Sequence, residues 1–137
     1  MTDVLKLLEL ARKARINSYA PYSHYKVGAA LLTKTGMTYT GCNIENASFT
    51  PTVCAERTAL FKAVSDGETE FEAIAIVGGK GGIIDESCIP CGVCLQVISE
   101  FCDKDFCVYV QTSYDDYKRY LLGELMPHGF SGDNIER

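Results

Sequence analysis

The chain has 137 residues, enough for one hydrophobic core and too few for two ordinary domains, so residues 1–137 are expected to form a single domain. With 47% hydrophobic and 23% charged residues, its composition is that of a compact globular protein and excludes a disordered or low-complexity chain. The formal net charge of -5, from 13 Lys+Arg against 18 Asp+Glu, lacks the basic field that a phosphate backbone demands and disfavours a nucleic-acid partner. Along the chain, Asp3, Lys6 and Glu9 interrupt the apolar residues of the first ten positions, so no signal-peptide core is read there. No apolar run approaches the roughly 18 to 20 residues of a membrane span. A cytoplasmic protein without membrane contact is expected. Val4, Leu7, Leu8, Ala11 and Ala14 recur at helical spacing, with Pro21 beyond them, and predict an opening amphipathic helix. Lys26 to Leu32 and Thr38 to Asn43 read as two short strands joined through Thr35 and Gly36, a hairpin signal.

Further along, a helical stretch around Cys54 to Val64 places Cys54, Arg57, Phe61 and Val64 near one face. Phe71 to Val77 predicts a strand, and the glycine-rich Gly78 to Gly82 a loop after it. That loop lacks the Lys-Ser or Lys-Thr step of a phosphate loop, since Gly81 follows Lys80. Pro90 suits the first position of a helix whose buried face is Cys94, Val97, Ile98 and Phe101, so Cys91 and Cys94 would share its first turn. A last strand is predicted over Phe106 to Gln111. Helix and strand alternate through the middle of the chain, which indicates an α/β sheet.

Seven cysteines is an odd number without an export signal, so metal ligation or catalysis explains them better than a disulfide framework. Cys54 and Glu56 open one helix, and Pro90, Cys91 and Cys94 open another. Alone, Cys91 and Cys94 fit half a structural zinc site, a redox pair or two buried thiols, and Cys-Ala-Glu alone means little. Together they give the order C-x-E then P-C-x-x-C, which matches the zinc deaminase signature: three ligands, a non-ligand carboxylate, and a fourth metal position left for water. Helix geometry separates the roles. Residues two apart do not share a face, so Glu56 is directed away from the metal held by Cys54, while Arg57, three residues on, returns towards it to offset thiolate charge. One Zn²⁺ per chain on Cys54, Cys91 and Cys94 is expected to acidify a water, with Glu56 shuttling its proton to ring nitrogen 3 of cytosine and then to the leaving amino group.

Five segments carry a wider resemblance: Tyr22-Ser23 with Lys26 to Leu32 (KVGAALL), Gly41 to Ala47 (GCNIENA), Cys54 to Ala59 (CAERTA), Pro90 to Cys94 (PCGVC), and Met126 to Phe130 (MPHGF). In these the chain closely resembles the small, homotetrameric, zinc-dependent cytidine deaminases. The resemblance implies a three-layer α/β/α sandwich around a mixed five-stranded sheet, and a homotetramer with shared active sites. It also implies hydrolytic deamination of cytidine and 2′-deoxycytidine in pyrimidine salvage. By matching positions, Asn43 and Glu45 would bind the ribose hydroxyls, the backbone of Ala55 the base carbonyl, Tyr25 would lie against the nucleoside, and Phe130 would stack on the base from another subunit. The chain departs from the family pattern at Tyr25, where Phe is commoner, at Thr52 for a frequent Gly, at Ile89 for Ser, and most of all at Leu95, where an Arg often follows the third ligand. Cys42, Cys102 and Cys107 read as buried residues or free thiols, and His24 and His128 as surface or loop histidines. Cys88 offers a competing C-x-x-C with Cys91, which the placement of Pro90 disfavours. Three other functions compete with the nucleoside reading. A polynucleotide-editing deaminase is opposed by the acidity and by NIENA, a structural zinc domain has no use for Glu56, and a deaminase of a modified cytosine nucleoside or nucleoside antibiotic shares every motif.

Overall fold

The computed structural model describes residues 2–136. The opening helix, α1 (Val4–Arg15), starts where the Asp3 side chain accepts a hydrogen bond from the Lys6 amide, and Arg12, Lys13 and Arg15 lie in its negative last turn. It buries Leu7, Leu8 and Ala11 and ends several residues before Pro21, at Ile16. The first hairpin follows as expected, with each strand slightly different in extent: β1 (Tyr25–Thr33) and β2 (Thr38–Cys42) pair antiparallel. Gly36 supplies the positive φ of 92° that the turn needs.

Helix α2 (Ala55–Ser65) leads to β3 (Phe71–Lys80), and α3 (Gly92–Phe101) leads to β4 (Cys107–Ser113). Strand β5 (Asp116–Leu121) and two short helices, α4 (Leu122–Leu125) and α5 (Asp133–Glu136), complete the chain. The sheet order is β2-β1-β3-β4-β5; β3 and β4 are parallel, bridged by α3, and the other neighbours antiparallel, so the sheet is mixed and five-stranded. Successive side chains alternate across it. Ala29, Leu31, Ile74, Ile76, Val108 and Val110 join α2 and α3 in one core, while Ala30, Ala73, Ala75, Val77 and Tyr109 join α1 in another. Helices therefore cover both faces, which is the three-layer arrangement expected. No described helix is long and apolar enough to cross a membrane.

Three sequence expectations are corrected. The buried face of α2 is Ala55, Glu56, Ala59, Leu60 and Ala63; Phe61 is exposed, and the seam through Cys54, Arg57 and Val64 is half-buried. Apolar spacing misled because the residues pressed on the sheet are alanines, small enough for close approach, together with one glutamate. Gly78, Gly79 and Lys80 are not loop but the end of β3, paired to Val27, Lys26 and Tyr25. Pro90 precedes the cap of α3: Cys91 is the N-cap itself and Cys94 the third helical residue, so the helix begins two residues after the proline.

Candidate active site

Both helix starts converge on one point. Cys54 caps α2 and Cys91 caps α3 in extended conformation, and neither side chain caps its own helix, which leaves both sulfurs free to point across the gap. Cys94 rises from the first turn of α3 and is fully buried. The sulfurs of Cys54, Cys91 and Cys94 all lie within 4.8 Å of one another, and those of Cys54 and Cys91 are 3.7 Å apart. Thiolates on a tetrahedral zinc, with Zn–S near 2.3 Å, stand about 3.8 Å apart, so the donor set fits that ion in chemistry and in spacing. Among the described residues this is the one group of three or more Cys, His, Asp or Glu able to hold a metal.

Arg57 returns to the sulfurs as helical spacing predicts, its Nη2 3.5 Å from the Cys54 Sγ. A hydrogen bond from Cys94, then the Arg57 guanidinium, lower the proton affinity of the Cys54 thiol. The negative Cys54 sulfur and burial push Cys94 up, so its proton must leave when a cation binds. The Nε of Arg57 is buried without a hydrogen-bond partner among the described residues. Glu56, in the same turn, is only 4% exposed. Burial raises its carboxyl to about 7, against which the positive Arg57 is a lesser influence.

A cavity of about 320 Å³ opens beside the sulfurs, within the size range of small-molecule sites. Tyr25, Asn43, Glu45, Cys54, Ala55, Glu56 and Cys91 all line it. Residues from β1, the segment after β2, the start of α2 and the segment before α3 are thus brought together. Asn43 is held at its place by β1: Nδ2 donates to the Tyr25 carbonyl at 2.7 Å, and Oδ1 accepts from the Val27 amide at 2.9 Å and from the Ser18 hydroxyl. One amide hydrogen remains for a ligand. Glu45 accepts from the amides of Tyr22 and Ser23 and from the Ser23 hydroxyl, and these bonds hold its carboxyl below the usual carboxylate range. The Tyr25 hydroxyl donates to Asp85 at 2.8 Å.

Phe130 stands apart, 58% exposed and outside this cavity, with its carbonyl held by Gln96. Ser23, Ser87, Cys88 and Ile89 line the cavity without having been singled out as its walls. Ser23 and Ser87 carry no spacing signal and only nearness to the motifs could have suggested them, whereas Cys88 stands out by its C-x-x-C spacing with Cys91 and Ile89 by its departure from the family pattern. Cys88 lies outside the sulfur group and is buried, while His24 and His128 are exposed. Leu95 packs against the core, which leaves Arg57 as the arginine beside the sulfurs. A larger cavity of about 530 Å³ lies between the end of α3 and the residues after α4, and no member of the sulfur group lines it.

The family model for the "Cytidine and deoxycytidylate deaminase zinc-binding region" matches residues 1–110, most of the chain. The chain belongs to this family. A cytidine deaminase of Sporosarcina psychrophila is 46% identical over 133 residues, covering 97% of this chain and 95% of the relative. One from Halalkalibacterium halodurans is 43% identical over 133 residues, covering 97% and 98%. The 1.6 Å crystal structure of cytidine deaminase from Burkholderia pseudomallei superposes with a TM-score of 0.83 at 45% identity, over 95% of this chain and 100% of that one. The sheet and its helices match that structure, so fold and family agree.

Proposed function

We propose that residues 1–137 act as one domain that hydrolyses cytidine and 2′-deoxycytidine to uridine and 2′-deoxyuridine, releasing ammonia, in pyrimidine salvage in the cytoplasm. One observation carries the enzymatic reading over a structural zinc domain: a buried glutamate, Glu56, lies in the wall of a cavity beside three sulfurs. A structural site closes on four ligands and gains nothing from such a carboxylate. Cys54, Cys91 and Cys94 would hold one zinc ion per chain, with Arg57 offsetting the charge of three thiolates. A zinc ion there supplies Lewis acidity to a water, bringing loss of its proton into the neutral range.

Glu56 takes that proton as the water oxygen adds to carbon 4 of the cytosine ring, and delivers it to ring nitrogen 3. It then takes the remaining proton from the newly added oxygen and passes it to the amino group, which leaves as ammonia as the uracil carbonyl forms. A carboxyl raised to about 7 by burial suits both steps, since it accepts and returns a proton at little cost near neutral pH. The Ala55 backbone meets the base carbonyl, and Tyr25 lies along the nucleoside. Glu45, already ionised and fixed by Ser23, accepts from a ribose hydroxyl, to which Asn43 gives its remaining amide hydrogen.

The working unit is proposed to be a homotetramer in which Phe130 of a neighbouring subunit stacks on the base. Its exposure leaves the ring accessible to a neighbouring subunit. A substrate panel tests the reading. Cytidine and 2′-deoxycytidine are both expected to lose their amino group, and cytosine within a single-stranded oligonucleotide at least about a hundredfold more slowly, because a phosphodiester removes the 3′-hydroxyl that both nucleosides can offer to Glu45 and Asn43. Equal rates on the oligonucleotide would contradict it.

A further inference from the structure

The cavity wall between β3 and α3, residues 81–91, has no regular secondary structure, yet it carries Ser87, Cys88, Ile89 and Cys91 into the site. Asp85 ties it down. Its amide donates to the Gly78 carbonyl at 2.7 Å, and its own carbonyl accepts from the Cys88 amide at 3.1 Å. Its carboxylate accepts from the Ser87 amide at 2.9 Å and the Ser87 hydroxyl at 2.6 Å through Oδ1, and from the Tyr25 hydroxyl at 2.8 Å through Oδ2. One residue thereby joins the start of β1, the end of β3 and the wall. Asp85 does not itself line the cavity.

Two neighbouring features fix the same segment. Arg15, from α1, donates to the carbonyls of Lys26, Gly79, Gly81 and Ile83 at 2.7–3.0 Å, so the loop ahead of Asp85 is held from behind the sheet. Cys88 lies directly on the end of β3: a Cβ added at Gly78 would meet its sulfur at 2.4 Å. The wall thus rests against the sheet with no spare room, and on the cavity side the Tyr25 hydroxyl meets it twice, at the Asp85 carboxylate and at the Cys88 thiol.

We infer that Asp85 is a positioning residue for this site, which acts through the Tyr25 hydroxyl and Ser87 to hold the wall of residues 87–91 against the nucleoside. The inference rests on the proposed deaminase reading for its kinetic consequence. Tyr25 lines the cavity while its hydroxyl is engaged by Asp85 and Cys88, so the hydroxyl serves the wall and leaves the rest of the side chain for the ligand. Asn in place of Asp85 preserves the knot, because its oxygen can accept from Ser87 and its amide can donate to the Tyr25 oxygen. Ala cannot.

The test uses zinc-loaded wild type, Tyr25→Phe, Asp85→Ala, Asp85→Asn and the double variant Tyr25→Phe/Asp85→Ala. Hydrogen exchange is followed beside cytidine kinetics and zinc content. In Asp85→Ala, which removes the three hydrogen bonds of the carboxylate, the amides of residues 87–89 and 91 are expected to exchange at least about tenfold faster, while those of β3 are unchanged. For cytidine, KM should rise about tenfold with kcat changed far less, and Asp85→Asn should restore both readouts to within about threefold. Tyr25→Phe should reproduce part of the effect, and the double variant should fall short of the sum of the two singles. Unchanged exchange at 87–91 in Asp85→Ala, loss of protection across the whole sheet, or strict additivity would each overturn the inference. Failure of the wild type on cytidine would instead defeat the deaminase reading, while the exchange data still decide the role of Asp85.

Discussion

At Glu45 a single carboxylate shows how the site is made ready before any ligand arrives. Two amides and a hydroxyl from Tyr22 and Ser23 surround it, and their hydrogen bonds hold its proton affinity below the usual value of 4.5. The folded state therefore binds this proton at lower pH than the unfolded chain does. The stabilisation is complete above about pH 4.5 and is lost as the pH falls through the lower folded value. Urea denaturation from pH 3 to 7 is expected to show this: the stability gap between wild type and Glu45→Gln should be constant from pH 7 to 5 and shrink on further acidification. A gap that widens with acid would contradict the assignment. The three sulfurs that the fold gathers were the most legible part of the sequence, because C-x-E and P-C-x-x-C are short, ordered and chemically constrained. Arg57 was legible too, since three residues on a helix return to the same side. Asn43 was legible only through resemblance, because its clamp on Tyr25 and Val27 joins segments distant in sequence.

Among the elements, α2 and α3 aim the sulfurs by where they start, and α2 starts where it does because β2 lets it lie close. A Cβ on Gly41 would stand 2.6 Å from the Ala59 nitrogen and 2.7 Å from the Ala55 carbonyl oxygen, backbone atoms that cannot swing aside. Gly41→Ala should push the first turn of α2 off the sheet, costing about 1–3 kcal/mol in urea denaturation and reducing zinc retained at a fixed chelator concentration. Gly82→Ala, with nothing within 4 Å of the added Cβ, is the control and should change neither. Equal effects at the two positions would contradict the packing account. Helices and strands with apolar periodicity were read correctly in kind, and β5 was not read at all. Its sequence, DYKRYL, is mostly exposed and polar, as befits an edge strand protected by Lys118 and Arg119, and such a strand has no buried face to leave a period-two signal. The start of α3 was misplaced because proline is favoured just inside a helix, whereas here Cys91 is the cap and Pro90 is buried ahead of it.

For the whole molecule, a sheet covered by helices on both faces presents the zinc-site residues at one end of α2 and α3, and the proposed assembly completes it. If Phe130 closes a neighbour's cavity, Phe130→Ala should raise KM for cytidine by about tenfold or more while leaving zinc content intact, and activity should vanish on dilution into monomers, followed by light scattering beside the assay. A monomeric sample with full activity would sink that arrangement. The mixed five-stranded sheet was legible only by resemblance, since pairing between strands distant in sequence leaves no local pattern. The most direct test of the account compares wild type with Glu56→Ala, following cytidine absorbance and zinc per chain in the same samples. The account predicts that wild type converts cytidine to uridine, and that the variant keeps about one zinc per chain while losing activity by at least about a hundredfold to ten-thousandfold. A zinc-loaded wild type inert on cytidine and 2′-deoxycytidine, or a Glu56→Ala variant that retains activity, would contradict it.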